Sequence, residues 1–531
     1  MHDHLPLSFA DDLEQRARFY SNDAAYIEAD RQITHAQLLA RGLKLGSSIY
    51  NAGLRHQDRV GVLSMNSIEF GEIMAATQWA GFILAPVNFR LSPSEIASII
   101  RDGSPRLFIF EAQYREIVEN IRHELSSVET FVCIGAQTDW AISYDDFIGQ
   151  GNEQGPPIRA REQDICCLIY TSGTTGKPKG VIWGHREFRQ LCQVDAWLCD
   201  MQHMDTTLIV MPMFHLGGMV ISLSQHERGG AAFLQRQFEP LDVLKAIEKY
   251  KLSILLLAPT MVQMVLDHPY VAEANLRSVR TIIYSAAPMP VSVLKRAIDI
   301  FNGCSFFNLF GQSEICMFCL ASTHHRPFGD EKDRKRLGSV GKPYPNLQAR
   351  IIDEDGNDCP PNVPGEIVAR SGAMFRGYWN NHPATLETLR NGWVHTGDMG
   401  KFDEDGFLYL VDRKKDMIIT GGENVYSREV EEALLQHSAV SECAVIGLPD
   451  AVWGESVCAV ITFRAGHSAS EEELISHTRA LIASYKKPKK IIVVDALPKL
   501  VTGKVNKIEL RQKFATPLQA AERNSKIETG T

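Results

Sequence analysis

The segment Ile169-Tyr-Thr-Ser-Gly-Thr-Thr-Gly-Lys-Pro-Lys-Gly-Val181 gathers hydroxyls, glycines and lysines directly after an apolar run, Cys166-Cys-Leu-Ile-Tyr170. That mixture suits a polyphosphate. Gly173, Gly176 and Gly180 let backbone amides approach an anion, Thr171, Ser172, Thr174 and Thr175 offer hydroxyl donors, and Lys177 and Lys179 add positive charge. A Walker A loop is excluded, because its spacing would put Gly at position 171, where the chain has Thr. Farther along, Asn308-Leu-Phe-Gly-Gln-Ser-Glu314 follows a strand-like run, so Glu314 is expected near a strand end, where open α/β sheets bind ligands. His395-Thr-Gly-Asp398 ends on a second carboxylate, and Thr502-Gly-Lys-Val-Asn-Lys507 carries lysines close to the C-terminus.

Two other chemistries are weaker matches. Cys316-Met-Phe-Cys319 with His324 and His325 hints at zinc, but no second cysteine pair accompanies it and the surroundings are apolar. Gly311-Gln-Ser-Glu hints at a nucleophile elbow and fails at its fifth position, which is Ile315 rather than Gly.

These groups have to be held by a scaffold, and the scaffold is written in the pattern of apolar runs. Runs beginning at Arg59, Ala80, Arg106, Thr207, Ser253 and Val279 read as strands buried on both faces. Segments such as Leu241 to Tyr250 and Val291 to Phe301 carry helical periodicity between them. This alternation predicts a parallel α/β architecture. Near residue 330 the charged run Asp330-Glu-Lys-Asp-Arg-Lys-Arg336 gives way to Gly- and Pro-rich sequence, for which turns and antiparallel strands are expected. From Asp412 the pattern becomes that of a small α+β domain: helices over 427–436 and 470–483, strands over 443–448, 456–463 and 490–494. The expected organisation is therefore a large N-terminal domain, 1–412, with stacked α/β sheets over about 1–330 and a β-rich subdomain over about 331–412. A mobile α+β domain, 413–514, and a frayed tail, 515–531, would follow.

Composition narrows the function classes. The chain has 531 residues, 44% of them hydrophobic, enough for more than one core, which rules out a peptide hormone and global disorder. A net charge of -9 leaves no broad basic excess, so no nucleic-acid partner is expected. Eleven cysteines, an odd number without framework spacing, point to a reducing cytoplasmic location. Neither a signal segment nor a membrane span is expected, since the start is acidic and apolar runs such as Ile254 to Pro259 are short.

The loop Tyr170-Thr-Ser-Gly-Thr-Thr-Gly-Lys-Pro-Lys-Gly180 resembles the signature of the adenylate-forming superfamily of acyl-CoA synthetases, luciferases and peptide-synthetase adenylation domains. Further matches recur in order: Pro212-Met-Phe-His-Leu-Gly-Gly218, Ser285-Ala-Ala-Pro288, Asn308 to Glu314, Trp393-Val-His-Thr-Gly-Asp398, the segment from Asp412 to Val425, and Pro498 to Lys507. The resemblance covers about residues 10–514. It implies an ATP-dependent acid–thiol ligase that converts a carboxylic acid to acyl-AMP with loss of pyrophosphate, then passes the acyl group to coenzyme A after rotation of the C-terminal domain.

The resemblance also implies roles. Glu314 would hold Mg²⁺, with Thr171 and the loop through Lys177 on the phosphates; Ser313 stands where Thr is usual and keeps the hydroxyl. Phe310 would stack on adenine and Asn308 read its amino edge, with Ala286, Ala287, Gly311 and Gln312 alongside. Asp398 and Arg413 would meet the ribose, and a carboxylate suits a diol because it accepts two hydrogen bonds at once. Lys504 would touch substrate carboxylate and α-phosphate together, stabilising charge shared in the transition state. Lys415 matches the hinge, and Gly421, Gly422 and Glu423 the segment lining the pantetheine tunnel; Lys486-Lys-Pro-Lys-Lys490 could meet CoA phosphates or be a solvated turn.

On the acid side, His215, Gly218, Ser285 and Gly311 are the candidates. Members acting on short acids close the pocket with Trp at the position of Gly311, so Gly implies a deep pocket. The surrounding sequence is apolar and Met-rich, without a Lys or Arg to pair a second carboxylate. The expected substrate is a hydrophobic monocarboxylic acid: medium- or long-chain fatty, aryl or alicyclic, as in fatty acid metabolism. The 17 residues after Phe514 are fewer than the roughly 80 of a carrier domain, so free CoA is the expected acceptor. The alternatives are a stand-alone ligase loading a separate carrier protein, or a non-catalytic acyl-adenylate-binding protein. A homodimer is compatible with the sequence and not specified by it.

Overall fold

Short runs of Val, Ile, Leu and Phe lose least by becoming strands when both faces can be covered, and that is how they are used. The computed structural model describes residues 7–171, 178–287, 289–414, 416–420, 423–450, 453–499 and 505–515. The chain divides into two compact units, Met1–Ala349 with Ala369–His395, and Arg350–Val368 with Thr396–Thr531.

The first unit contains two large sheets. A seven-stranded sheet runs in the order Ile142–Ser143, Thr130–Ile134, Leu107–Glu111, Arg59–Leu63, Ile83–Pro86, Ile165–Thr171, Lys179–Gly184. All its pairings are parallel except the last, where Ile165–Thr171 and Lys179–Gly184 form an antiparallel hairpin. A nine-stranded sheet has a parallel centre of Ala24–Glu28, Ala231–Leu234, Thr206–Ile209, Ile254–Leu257, Thr281–Ser285 and Ser305–Gln312. Antiparallel strands flank that centre: Arg31–Thr34 at one edge, Ile315–Leu320 and Lys342–Pro343 at the other.

Amphipathic helices cover the sheets. Pro240–Tyr250 buries Val243, Leu244, Ala246 and Ile247, and Val291–Ile300 buries Val293, Leu294 and Ala297, so the apolar residues three and four apart face one core. Pro93–Gly103 starts from a capping box between Ser92 and Glu95 with Pro at its first turn, and its last turn carries Asp102 to the site described below. Among the described residues no helix is long and apolar enough to cross a membrane.

In the second unit, Gly454–Phe463 and Val440–Asp450 form a long antiparallel pair, with Lys490–Val493 parallel to the former and Ile418–Thr420 beside it. Ser427–Leu435 and Glu471–Leu481 supply Val430, Leu434 and Leu474 to its core. The α+β character expected from the alternation is present, and the mixed α/β class read from the sequence holds for the whole chain.

Candidate active site

The phosphate-type loop begins where a strand turns back on itself. Thr171 pairs with Lys179 at the end of the antiparallel pair Ile165–Thr171 and Lys179–Gly184, and Ser172, Gly173, Thr174, Thr175, Gly176 and Lys177 lie outside the described residues. The strand before the loop is anchored by Tyr170, whose hydroxyl donates to Asp102 Oδ2 at 2.7 Å. Burial, then the hydrogen bond to Asp102 and its charge, pushes the Tyr170 hydroxyl far above its usual range, so it stays a donor. Asp102 also offers its backbone carbonyl to Trp379 Nε1 at 3.2 Å and to Asn380 Nδ2 at 3.1 Å. A Cβ at Gly180 would lie 3.1 Å from the Tyr170 ring and 3.2 Å from Trp379 Cβ, which explains glycine on the returning strand.

Glu314 sits at the tip of a second hairpin. Gln312 pairs with Ile315, leaving Ser313 and Glu314 as the two connecting residues, both half-buried. Three bonds hold this tip. Trp183 Nε1 donates to the Ser313 carbonyl at 2.8 Å, the Phe375 amide donates to the Glu314 carbonyl at 2.8 Å, and the Tyr378 hydroxyl donates to Glu314 Oε1 at 2.6 Å. Trp183 belongs to the strand that returns from the phosphate loop, so the loop and the Glu314 carboxylate share one support.

The next group lies at the carboxyl ends of two adjacent parallel strands. Ser285 is in register with Leu309, and its hydroxyl donates to the Leu309 carbonyl at 2.7 Å. Ala286 and Ala287 follow exposed, and Ala286 has φ +75, a left-handed conformation that costs a side chain about 1–2 kcal/mol and a glycine little. Asn308 is buried opposite Tyr284. Phe310 is half-buried with its ring 6.3 Å from Phe318, a bulge separates Phe310 from Gly311, and Gly311 is exposed opposite Cys316. The sequence thus brings Ser285, Ala286, Ala287, Asn308, Phe310 and Gly311 to one edge, one hairpin tip from Glu314.

His215 precedes helix Leu216–Glu227, which follows strand Thr206–Ile209 of the same sheet, so it too stands on the carboxyl-end side of the strands. It is half-buried, its ring 4.6 Å from Phe214. Gly218 is buried, and a Cβ there would lie 2.5 Å from the Pro212 carbonyl oxygen, so backbone packing requires glycine. Asn66 seats this segment: its Nδ2 donates to the carbonyls of Ile209, Met211 and Gln235 at 3.1 to 3.2 Å, and its Oδ1 accepts from the Met213 amide at 2.8 Å. Of the zinc-like residues, His325 is buried and shares a 2.9 Å hydrogen bond with the Tyr284 hydroxyl.

In the second unit Asp398 is buried and paired in register with Arg413, whose Nε lies 3.3 Å from Asp398 Oδ1. Thr396 accepts from the Asp398 amide at 3.1 Å and donates to the Ile367 carbonyl at 2.7 Å, holding the strand around Gly397, where φ is +68. Glu423 is exposed on strand Glu423–Val425. Lys415, Gly421, Gly422 and Lys504 lie outside the described residues.

This arrangement, an antiparallel strand pair flanking the hydroxyl-rich segment, a carboxylate braced against its returning strand and an aromatic edge at parallel strand ends, coincides with a family match over most of the chain. The AMP-binding enzyme description fits residues 13–379, and its C-terminal domain description fits 429–504. The chain belongs to the AMP-binding enzymes. A feruloyl-CoA synthase from Amycolatopsis sp is 32% identical over 503 residues, 94% of this chain and 98% of that one. A fatty acid–[acyl-carrier-protein] ligase, ScoC, from Streptomyces coeruleorubidus is 31% identical over 492 residues, 91% and 92% of the two chains. Among solved structures, the anthranilate CoA ligase AuaEII in complex with anthranoyl-AMP superposes with a TM-score of 0.86 at 27% identity, covering 98% of this chain and 99% of that one. As an AMP-binding enzyme with an adenylate-forming fold, the protein carries residues that motif reading did not single out: Asp102, Trp183, Tyr378 and Asn66. Each has a partner that lies far away in sequence, so only their convergence in space marks them.

Proposed function

We propose that this AMP-binding enzyme is an acid–CoA ligase acting on a hydrophobic monocarboxylic acid. The observation that carries the reading is Glu314, held at a hairpin tip by Tyr378 and Phe375 and joined through Trp183 to the strand returning from the phosphate loop. One half-buried carboxylate, leaving other positions to phosphate oxygens and water, suits Mg²⁺, which when bound would neutralise phosphate charge.

In the first step the acid's carboxylate oxygen bonds to the α-phosphorus of ATP, the bond from that phosphorus to the bridging β-oxygen breaks, and pyrophosphate leaves. Thr171 and the loop after it hold the phosphates, Phe310 and Asn308 the adenine, Asp398 and Arg413 the ribose, and Lys504 shares charge between the two reacting anions. In the second step the CoA sulfur bonds to the acyl carbon, AMP leaves, and the thiol proton is lost. For the nucleotide end of CoA the second unit offers half-exposed Trp453 and Tyr485, with Lys489 Nζ 5.0 Å and Lys486 Nζ 5.7 Å from the respective ring centres. Lys489 is paired with Asp450 at 3.0 Å and Lys486 with Glu429 at 2.7 Å, so these rings offer stacking to a purine rather than unpaired positive charge to its phosphates.

The acid side is apolar, and Gly311 leaves its edge open, which favours a medium or long fatty acid, an aryl acid or an alicyclic acid. The likeness to ScoC favours a carrier protein as the second acceptor to test. The test is pyrophosphate release with ATP and Mg²⁺ over acetate, octanoate, palmitate, benzoate, cinnamate and a cyclic acid, with and without CoA, with thioesters detected by mass. A CoA thioester from a hydrophobic acid, lost in Lys504→Ala, is the expected result. Acyl-AMP without thioester transfers the reading to a carrier protein, and no pyrophosphate from any acid leaves a binding protein.

A further inference from the structure

Residues 375–379 cross between the two hairpins of the first unit like a strap. On one side they extend the strand returning from the phosphate loop: Arg376 donates to the Ile182 carbonyl at 2.9 Å, Ile182 to Gly377 at 3.0 Å, and Trp379 to Gly180 at 2.8 Å. On the other side they hold Glu314 twice, at its backbone through Phe375 and at its carboxylate through Tyr378. The strap is shaped for this. Gly377 has φ +134, a Cβ there would lie 2.8 Å from Thr385 Cγ2, and the next amide, Tyr378, donates to Thr385 Oγ1 at 2.8 Å.

The phenol is committed in one direction. Its hydroxyl donates to Glu314 Oε1 at 2.6 Å and accepts from Thr388 Oγ1 at 3.5 Å, so its proton points at the carboxylate. The ring packs 5.1 Å from Phe375, and Lys179 Nζ lies 4.9 Å from its centre, which fixes its plane between the loop strand and the carboxylate. A short hydrogen bond to a carboxylic group is among the strong ones, and this bond engages Oε1 rather than Oε2.

We infer that Tyr378 is a positioning residue that orients Glu314 for the metal–nucleotide complex, engaging Oε1 so that Oε2 is presented to the cation. The inference rests on the reading of Glu314 as the metal carboxylate.

The experiment is Mn²⁺ binding, followed by electron paramagnetic resonance, to full-length protein holding α,β-methylene-ATP, which cannot be cleaved at the reacting bond. Binding of the same nucleotide in EDTA is measured in parallel. Tyr378→Phe keeps the ring and removes the donor; it is expected to weaken Mn²⁺ binding roughly tenfold or more while metal-free nucleotide binding stays within twofold. Glu314→Gln is expected to weaken Mn²⁺ at least as much, and the double variant to be no worse than Glu314→Gln alone, since both changes remove the same contact. If Glu314→Gln loses Mn²⁺ and Tyr378→Phe does not, the inference fails while the metal reading stands. If Tyr378→Phe weakens metal-free nucleotide binding as much as Mn²⁺ binding, its role is structural and the inference fails. If Glu314→Gln binds Mn²⁺ normally, the metal reading fails and the inference falls with it.

Discussion

Trp183 and Ser313, 130 residues apart, are joined by an indole N–H donating to a backbone carbonyl at 2.8 Å, and this bond ties the phosphate-loop strand to the turn that carries Glu314. Trp183 is fully buried, so a phenylalanine in its place leaves that carbonyl without its donor, at a cost of about 1–3 kcal/mol. Trp183→Phe is expected to lower the melting temperature and to slow pyrophosphate release on the order of tenfold, because the turn loses one of the three bonds that hold it. Steady-state assays beside a thermal melt check this; a lowered melting temperature with an unchanged rate would reduce the bond to a purely structural one.

What could be read in advance, and what could not, follows from where the information sits. Ile254–Leu257 and Thr281–Ser285 were legible because a parallel strand covered on both faces needs an unbroken apolar run, which is a local property. The place of Glu314 at a strand end was legible because its motif is contiguous and follows such a run. Tyr378 was not: within Arg376-Gly-Tyr-Trp379 it looks like packing, and its partner lies 64 residues upstream. Asn66 was hidden for the same reason, since the carbonyls it seats begin 143 residues later. The backbone consequence of alanine at position 286 is not legible in Ser285-Ala-Ala-Pro288 and rests on the φ angle.

That consequence is measurable. A left-handed φ of +75 disfavours Ala286 by about 1–2 kcal/mol, whereas Gly adds roughly 0.5–1 kcal/mol of backbone entropy loss on folding. Ala286→Gly is therefore expected to be neutral to slightly stabilising, and Ala286→Val, β-branched in the same conformation, clearly destabilising. Thermal melts of the two variants decide it; equal losses in both would mean that the side chain, not the backbone angle, sets stability here.

Gly311 follows the bulge after Phe310 and is exposed at the carboxyl end of its strand. A tryptophan there is expected to cut kcat/KM for octanoate or cinnamate by roughly 100-fold and to move preference toward acetate and propionate, since steric exclusion scales with the groups displaced. The check is a chain-length series on wild type and Gly311→Trp. A parallel drop for every acid, with the order of preference kept, would remove Gly311 from the pocket.

Asp195 lies 1% exposed on helix His185–Leu198, and its Oδ1 has no hydrogen-bond partner among the described residues. Burial pushes its carboxyl from 3.8 up to about 7, against a smaller opposing hydrogen bond from Tyr344. Its other titratable neighbours, Cys192, Cys199, Cys316 and Cys319, are thiols that burial keeps neutral, and among the described residues burial and the Tyr344 bond are what act on its carboxyl. Between about pH 4 and pH 7 the unfolded chain releases this proton while the folded chain retains it. Native protein then binds more protons than unfolded protein, and stability falls as pH rises through that window, levelling off above about 7. Asp195→Asn removes the ionisation at nearly the same size. The wild-type melting temperature minus that of the variant is therefore expected to fall steadily from pH 5 to pH 7.5 and then flatten, with other titrating groups cancelling in the difference. A difference that is flat across that range would mean that the Asp195 carboxyl ionises at an ordinary pH, and that the helix and the strand Ile315–Leu320 behind Glu314 tolerate a buried charge.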